Sequence, residues 1–451
     1  MQGPFVNKLK QLYLETFGCQ MNVEESGKIA AQLAEIGYEQ TDDADSADLV
    51  ILNTCSVRAR AEEKVIQHLE NYSGRKRRQP GFILGVGGCV AQQEGKRLLK
   101  RLRHLDFVFG THSIHLVRQM VQAAEQGQRT AEVDFLDAET RLNLFPTDSS
   151  SGGVTRFVTI MQGCDNFCSY CIVPHVRGRE ISRRSEDILD EIRRLADSGV
   201  KEVTLLGQNV NSYGLKSPGE MDFAGLLRNV AAIEGIERIR FTTSHPKDLS
   251  PALVDCFSEL DKLCSHFHLP AQSGSDRILG LMNRGYTRQE YLAMVGALKT
   301  ARPDIQITGD IIVGFPGETE ADFQETLTLL EEVEYADLFT FIYSIRPETA
   351  AASLLDGTSR KEKLARLDQL QSLQREMTRA RNQSFVGTRQ QILVEGPSKR
   401  EGQYFGRTSG NRIVNFPGTP DLVGQLVEVA IVTAYQNSLL GQLVEPGIRA
   451  A

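Results

Sequence analysis

An alternation of short apolar runs with amphipathic stretches constrains this chain more than any other feature. Leu12–Phe17, Leu49–Asn53, Phe82–Val86 and Phe107–Phe109 have the length of strands. Val23–Ile36, Arg58–Tyr72, Gln92–Leu102 and Ser113–Gln126 follow them with helical periodicity. Repetition of this kind points to an α/β fold with an open parallel sheet covered by helices. A polar, aperiodic segment from Asp137 to Gly153 ends in Ser149-Ser150-Ser151-Gly152-Gly153 and reads as a linker.

A second series starts at Arg156. Strands are expected at Phe157–Met161, Glu202–Leu206, Arg238–Phe241, His266–Leu269, Gln306–Ile312 and Leu338–Tyr343. Helices fit between them, among them Ser185–Asp197, Phe223–Ile233, Arg288–Thr300 and Glu320–Val333. Six β/α units are fewer than the eight of a closed barrel, so a partial (β/α)6 barrel with an open side is expected. A basic helix at Arg360–Arg381 leads into short β-like segments, Gln390–Glu395, Gly402–Arg407, Arg412–Phe416 and Gly424–Val432, which suit a small all-β barrel. With 451 residues, about three domains are expected.

The first residues lack the apolar run of a signal peptide and no stretch has the length of a membrane span, which reads as a cytoplasmic protein with no membrane partner. Net charge is −7, yet residues 360–412 hold 12 Lys or Arg against 5 Asp or Glu, a local +7 that leaves −14 elsewhere. The C-terminal part is therefore expected to carry a basic patch. Arg75-Lys76-Arg77-Arg78 is also basic and reads as a solvent-exposed loop.

Eight cysteines in a reducing compartment point to metal binding or catalysis rather than a disulfide framework. Cys164-x3-Cys168-x2-Cys171 follows a strand, at the end of the barrel where β/α folds place their chemistry. Three thiolates can hold three irons of a cubane cluster and leave the fourth open, the mark of a catalytic site. A zinc site completed by His175, or chance clustering, is the bland alternative. Cys19, Cys55 and Cys89 follow the first, second and third strands, so they converge at the carboxyl ends of a parallel sheet. Three unrelated core thiols are the alternative there. Cys256 and Cys264 read as core or surface thiols. Gly85-Val86-Gly87-Gly88 lacks dinucleotide-binding spacing and reads as a tight turn that brings the Cys89 backbone close to a cluster.

The three-cysteine spacing at 164–171 is the hallmark of the radical S-adenosylmethionine (SAM) superfamily. Thr16–Asn22, Asn53–Arg58, Gly88–Gly95, Gly163–Pro174, Leu206–Tyr213, Thr243–Asp248, His268–Gly274 and Ile312–Glu318 together resemble the bacterial tRNA methylthiotransferases within it, in the right order over nearly the whole chain. The resemblance implies an N-terminal methylthiotransferase domain over 8–127, a linker over 128–153, a radical SAM core over 154–381 and a TRAM RNA-binding domain over 382–447. It implies two [4Fe-4S] clusters, held by Cys19, Cys55 and Cys89 and by Cys164, Cys168 and Cys171, and two SAM molecules per turnover. One SAM is cleaved to a 5′-deoxyadenosyl radical that takes the C2 hydrogen of N6-isopentenyladenosine beside the anticodon, and the product is its 2-methylthio derivative.

Tyr170, Gln208, Asn209, Ser244, Gln272 and Asp310 are candidate SAM contacts, ordinary loop capping being the alternative. Lys399, Arg400, Arg407 and Arg412, with Tyr404 and Phe405 interleaved, are candidate contacts to the tRNA anticodon stem-loop, a solvated basic face being the alternative. A reductant protein and a sulfur donor are implied, and the chain is read as a monomer. Glu348 stands where such sequences commonly have Gly, and His175 where Tyr is commoner. A methylthiotransferase for a ribosomal-protein aspartate or for threonylcarbamoyladenosine shares this plan. A non-enzymatic iron–sulfur RNA-binding sensor is the reading from another class.

Overall fold

The computed structural model describes residues 9–56, 61–143 and 153–444. Arg58, most of the Asp137–Gly153 segment and the outermost ends of the first and last expected domains lie outside them. The chain divides into two units: residues 1–151 with 162–165 and 172–183, and the remainder.

The first unit is built on β1 (Lys10–Thr16), β2 (Tyr38–Gln40), β3 (Leu49–Thr54), β4 (Ile83–Gly88), β5 (Phe107–Phe109) and β6 (Thr130–Glu132). They form one sheet in the order β2-β1-β3-β4-β5-β6, all parallel. β3 and β4 are buried along their whole length because both faces are covered. Val50, Leu52, Leu84 and Val86 pack on one face with Val65, Leu69 and Leu98. Leu49, Ile51, Ile83 and Phe107 pack on the other with Ile29, Leu33, Val117 and Val121.

Four expectations are corrected here. Thr130–Glu132, inside the expected linker, extends the sheet. Gly85 to Gly88 is not a turn but the last four residues of β4. A side chain at Gly85 or Gly87 would strike the rings of Phe107 or Phe109 at 2.2 and 2.0 Å, so these glycines make room for the next strand. Arg75–Arg78 is not a loop but most of helix Ser73–Arg78. The expected helix Gln92–Leu102 is two, Cys89–Glu94 and Lys96–Arg101, broken at Gly95 with φ +51°.

The second unit carries β7 (Thr155–Thr159), while β8 (Met161–Gln162) and β9 (Ile181–Ser182) flank the cysteine loop in the chain. β10 (Glu202–Leu206), β11 (Arg238–Phe241), β12 (His266–His268), β13 (Gln306–Val313) and β14 (Asp337–Ile342) follow. β7-β10-β11 and β12-β13-β14 are parallel sheets joined by a bridge from Ile239 to Leu263, so six strands run in chain order as a partial barrel. Val203, Ile239, Phe267 and Ile307 belong to the core beneath the surrounding helices.

Helix Arg360–Ser384 leads to β15 (Arg389–Pro397), β16 (Gln403–Arg407), β17 (Ile413–Pro417), β18 (Leu426–Ala434) and β19 (Leu439–Leu443). They close a small barrel in the order β15-β16-β17-β19-β18, filled by Ile392, Val394, Val414, Phe416 and Val429. β19 had no counterpart in the sequence reading. The barrel is fastened to the starts of β10 and β11: Arg238 donates to the carbonyls of Arg407 and Gln391, and Arg240 to those of Ser409 and Thr408. Glu202 neutralises Arg240 at 3.0 Å.

Candidate functional site

In the first unit, the register pairs Thr16 with Asn53 and Thr54 with Gly88, so β1, β3 and β4 end level. Each strand delivers a cysteine within three residues of its end. Cys19 caps helix Gln20–Ala34, Cys55 follows Thr54, and Cys89 opens helix Cys89–Glu94. Gly18, at φ +120°, lies so close to Cys55 that a Cβ there would stand 2.1 Å from the Cys55 Cβ. Beneath the cysteines, Asn22 donates to Asn53 Oδ1 and the Thr54 carbonyl, each at 3.0 Å, and Asn53 donates back to the Asn22 carbonyl at 2.9 Å. Cys19 donates to Asn22 Oδ1 at 3.2 Å.

Arg177 completes this set. It ends helix Val173–Arg177, directly after the second cysteine motif, and pairs with Glu25 at 2.5 Å, both buried. Burial pushes the Glu25 carboxyl up and the Arg177 charge pulls it back. A hydrogen bond with Cys55 and the Arg177 charge hold the Cys19 thiol down at about 5 against the opposing effect of burial. Burial pushes the Cys89 thiol up, again opposed by Arg177. The sequence reading missed Arg177; its place in the short helix directly after Cys171 was the only signal.

The second set lies on the loop between β8 and helix Val173–Arg177. Gly163, at φ +80°, opens it, and the Cys164 N–H donates to the Gly178 carbonyl. Cys168 is buried, and its sulfur accepts from Arg284 Nη1 at 3.4 Å with His245 Nε2 at 3.7 Å. Arg284 is itself buried, held by the Pro270 carbonyl at 2.7 Å and Tyr286 at 3.0 Å, and it reaches the Tyr170 hydroxyl at 3.5 Å. Ser169 accepts from Ala351 and donates to Leu281, which ties the loop to two neighbouring turns. Arg284 did not figure in the sequence reading, and His245 entered it only as part of the Thr243–Asp248 motif, with no role.

Among the candidate SAM contacts, Asn209 and Ser244 follow β10 and β11. Asn209 donates to Asp248 at 2.7 Å, yet its Oδ1 and the Ser244 Oγ are buried with no partner among the described residues. Orphaned polar atoms at strand ends fit a polar ligand. Gln208 is half-buried beside Asn209. Tyr170 packs with Ile278, Met282 and Phe315. Gln272 sits at φ +76° and bridges to β13. Asp310 lies inside β13 rather than at its end, 3.6 Å from His268, in a polar row with Thr308 and His266.

No three His, Cys, Asp and Glu side chains among the described residues could hold a single metal ion. An iron–sulfur cluster is a larger body that spaces its thiolates more widely, and two sets of three soft ligands beside buried arginines suit it. Cys256 and Cys264 are both buried; burial pushes the Cys256 thiol up to about 11, and both are core thiols.

On the small barrel, Lys399 and Arg400 are exposed beside Tyr404 and Phe405. Arg407 is paired with Glu395 at 2.6 Å. Arg412 is corrected as an RNA contact: it is buried and donates to the Ala336 carbonyl. Glu348 takes φ +69°, the conformation that the commoner Gly adopts without cost, and His175 is exposed on its helix.

Residues 11–110 match the Uncharacterized protein family UPF0004, residues 158–330 the Radical SAM superfamily, and residues 383–444 the TRAM domain. The chain is 67% identical over 435 residues to tRNA-2-methylthio-N(6)-dimethylallyladenosine synthase of Geobacter sulfurreducens, covering 96% of this chain and 98% of that one. It is 67% identical over 434 residues to the protein of that name from Geotalea uraniireducens, covering 96% and 99%. Among solved structures, the radical S-adenosylmethionine methyltransferase TsrM of Kitasatospora setae, with cobalamin and a [4Fe-4S] cluster bound, shares the fold at a TM-score of 0.58 and 15% identity, over 76% of this chain and 77% of that one. No helix among the described residues is long and apolar enough to cross a membrane. With its three segments matched in order and full-length relatives at two-thirds identity, the chain belongs to the tRNA-2-methylthio-N(6)-dimethylallyladenosine synthase family of radical SAM enzymes.

Proposed function

We propose that this protein converts N6-isopentenyladenosine beside the anticodon of tRNA into its 2-methylthio derivative, using two [4Fe-4S] clusters and two SAM molecules per turnover. The observation that carries this reading is the pair of separate three-cysteine sets, each at the carboxyl ends of parallel strands and each beside a buried arginine. Adenine C2 has no leaving group and is not electrophilic. When bound, the clusters and SAM supply the one-electron, sulfur and methyl chemistry that this carbon requires.

The chain's own residues do the rest. Cys19, Cys55 and Cys89 would hold one cluster and Cys164, Cys168 and Cys171 the other, each leaving one iron without a protein thiolate. Arg177 and Arg284 offset the thiolate charge. Asn209 and Ser244 would receive polar groups of SAM, with Gln208 beside Asn209, Tyr170 in the cysteine loop and Gln272 after β12 as further contacts. Lys399 and Arg400 would meet the phosphates of the anticodon stem-loop. The division proposed is a methylthiotransferase domain over 8–127, a radical SAM core over 154–381 and a TRAM domain over 382–447, acting as a cytoplasmic monomer with a separate reductant and sulfur donor.

The test is mass spectrometry of nucleosides from tRNA incubated anaerobically with reconstituted protein, SAM, reductant and sulfide. A methylthio product is expected only from tRNA that carries isopentenyladenosine, and neither Cys164→Ala nor Cys55→Ala should yield it. SAM cleavage without any tRNA product would refute the substrate and favour the ribosomal-protein or threonylcarbamoyl alternatives.

A further inference from the structure

The run Arg75–Arg78 has no part in that reading. Arg75 lies 4.2 Å over the Phe82 ring and donates to the Ala44 and Ala47 carbonyls, and Lys76 pairs with Asp106 at 2.7 Å. These contacts fix the helix and leave Arg77 and Arg78 exposed. The following helix, Lys96–Arg101, adds Lys96, Arg97, Lys100 and Arg101, and Arg103 comes just after it, all exposed. The two segments meet through Lys76, on the first, and Asp106, three residues beyond Arg103; His104 Nε2 meets the Leu69 carbonyl at 2.8 Å, on the helix that precedes Ser73.

Among the described residues, none of these seven exposed cations has an ion pair or hydrogen bond. Between residues 73 and 105 there are 9 Lys or Arg and 1 Asp or Glu, a local +8 in a chain of net −7. Seven like charges so close together repel each other, and no described residue neutralises them. By contrast, two of the four cations expected to grip RNA on the small barrel are taken up by Glu395 and Ala336.

We propose that this face binds the sugar–phosphate backbone of the tRNA substrate, away from the adenosine that reacts; the inference rests on the tRNA-modifying reading above. Arg77 and Arg78 precede β4 and Arg103 precedes β5, so they stand at the amino-terminal edge of the sheet. Cys55 and Cys89 stand at the other edge, and at about 3.3 Å per residue the six residues of β4 put about 20 Å between them. A nucleic acid with a charge about every 1.7 Å along a duplex extends well beyond that span. A phosphate backbone carries its charges in a long row and can meet cations spread over two segments, which favours RNA over a compact acidic protein as the occupant.

The test uses the full-length reconstituted enzyme with Arg77, Arg101 and Arg103 all changed to Gln. Arg193, Arg228 and Lys299, cations that pair with Asp190, Glu259 and Glu334, are changed to Gln in a control of equal net charge. Binding of full-length tRNA is measured as a function of salt. Losing three phosphate contacts should remove nearly three units of the log–log slope, so between about 50 and 200 mM salt the wild type should weaken about 40-fold more than the variant. The control should keep the wild-type slope, and the variant should still modify a short anticodon stem-loop at the wild-type rate. A wild-type slope in the variant overturns the proposal. So does normal tRNA binding with turnover lost only when an acidic protein replaces dithionite as reductant, which would assign the face to a redox partner. If the wild type itself makes no methylthio product from the stem-loop, the substrate reading fails, while the salt slopes still decide what this face binds.

Discussion

Replacing Gly88 with Ala should empty one cysteine set while sparing the other. Gly88 has φ +87° and ψ −158°, a region essentially confined to glycine, where another residue costs about 1–3 kcal/mol. An added Cβ would stand 2.3 Å from the Thr54 carbonyl oxygen and 2.6 Å from Asn53 Oδ1. Overpacking of that kind costs a further 1–3 kcal/mol or so. The sum, about 2–6 kcal/mol, is a large share of the roughly 5–15 kcal/mol that holds a domain together. It falls where it matters for the site. Thr54 adjoins Cys55, Gly88 adjoins Cys89, and Asn53 Oδ1 accepts from Asn22, which in turn accepts from Cys19. One methyl group therefore disturbs the support of all three thiols. Anaerobically reconstituted Gly88→Ala should bind about half the iron of the wild type, given two clusters of equal size. It should still cleave SAM to 5′-deoxyadenosine but yield no methylthio nucleoside, and its first unit should melt at least about 4 °C lower. Gly81→Ala is the control, since a Cβ there meets nothing within 4 Å. Full iron content and an unchanged melting temperature in Gly88→Ala would refute the reasoning.

Arg412→Met should remove one of the two donors to the Ala336 carbonyl, leaving Thr378 Oγ1 as the other, and loosen the small barrel from the core at a cost of about 1.5–3 kcal/mol in urea unfolding. Lys399→Gln with Arg400→Gln should leave stability within about 0.5 kcal/mol while weakening tRNA binding, because both side chains are exposed. His112 donates to the Arg177 carbonyl through Nε2 and accepts from the Leu136 N–H at Nδ1, so only the neutral ring satisfies both, and burial holds its pKa down at about 4. The folded chain thus binds fewer protons than the unfolded one between about pH 6.5 and 4. Up to about 3 kcal/mol of stability should be lost as pH falls through that window. Burial also holds His245 and His266 down, so both proteins should weaken as pH falls, and urea unfolding of the iron-free chain should show the wild type losing up to about 3 kcal/mol more than His112→Gln across this window. Arg284→Met removes the donor to Cys168 and should shift the midpoint potential of that cluster to more negative values by EPR-monitored titration. An unchanged potential would make Arg284 a packing residue only.

What could be read from the sequence is what repeats locally. Helices Ser185–Asp197 and Glu320–Val333 and strands Glu202–Leu206, Arg238–Phe241 and Phe107–Phe109 stand where the apolar period places them, because amphipathic burial writes itself into every second or fourth residue. Tyr38–Gln40 and Thr130–Glu132 are three-residue edge strands, too short to show a period, and their pairing depends on a neighbour already in place. The six cysteines could be placed because strand ends in a parallel sheet share one edge. Their surroundings could not. Glu25 lies 152 residues from Arg177, and Arg284 lies 116 from Cys168. A charged residue looks solvent-exposed in a sequence until the fold supplies its partner. Arg412 and Arg75 were misread for that reason: each looked like part of a surface charge run, yet each spends its guanidinium on buried carbonyls.

The two cysteine sets share an electrostatic arrangement that neither motif spells out. Gathering three thiolates in a water-poor pocket concentrates negative charge, and burial alone pushes a thiol toward its neutral form, as at Cys89. A metal cluster needs the thiolates instead. In the first unit Arg177 stands against Cys19 and Cys89, itself held by Glu25. In the second, Arg284 stands against Cys168 with no carboxylate opposite; backbone oxygen at Pro270 and the Tyr170 and Tyr286 hydroxyls hold it in place. The distinction has a chemical consequence. An arginine already paired to Glu25 adds little net charge to its pocket, whereas Arg284 brings a full positive charge to Cys168. The second pocket therefore favours an added electron more than the first does, which suits the proposed division in which a cluster at Cys168 would take up the electron that cleaves SAM and the first set would handle sulfur.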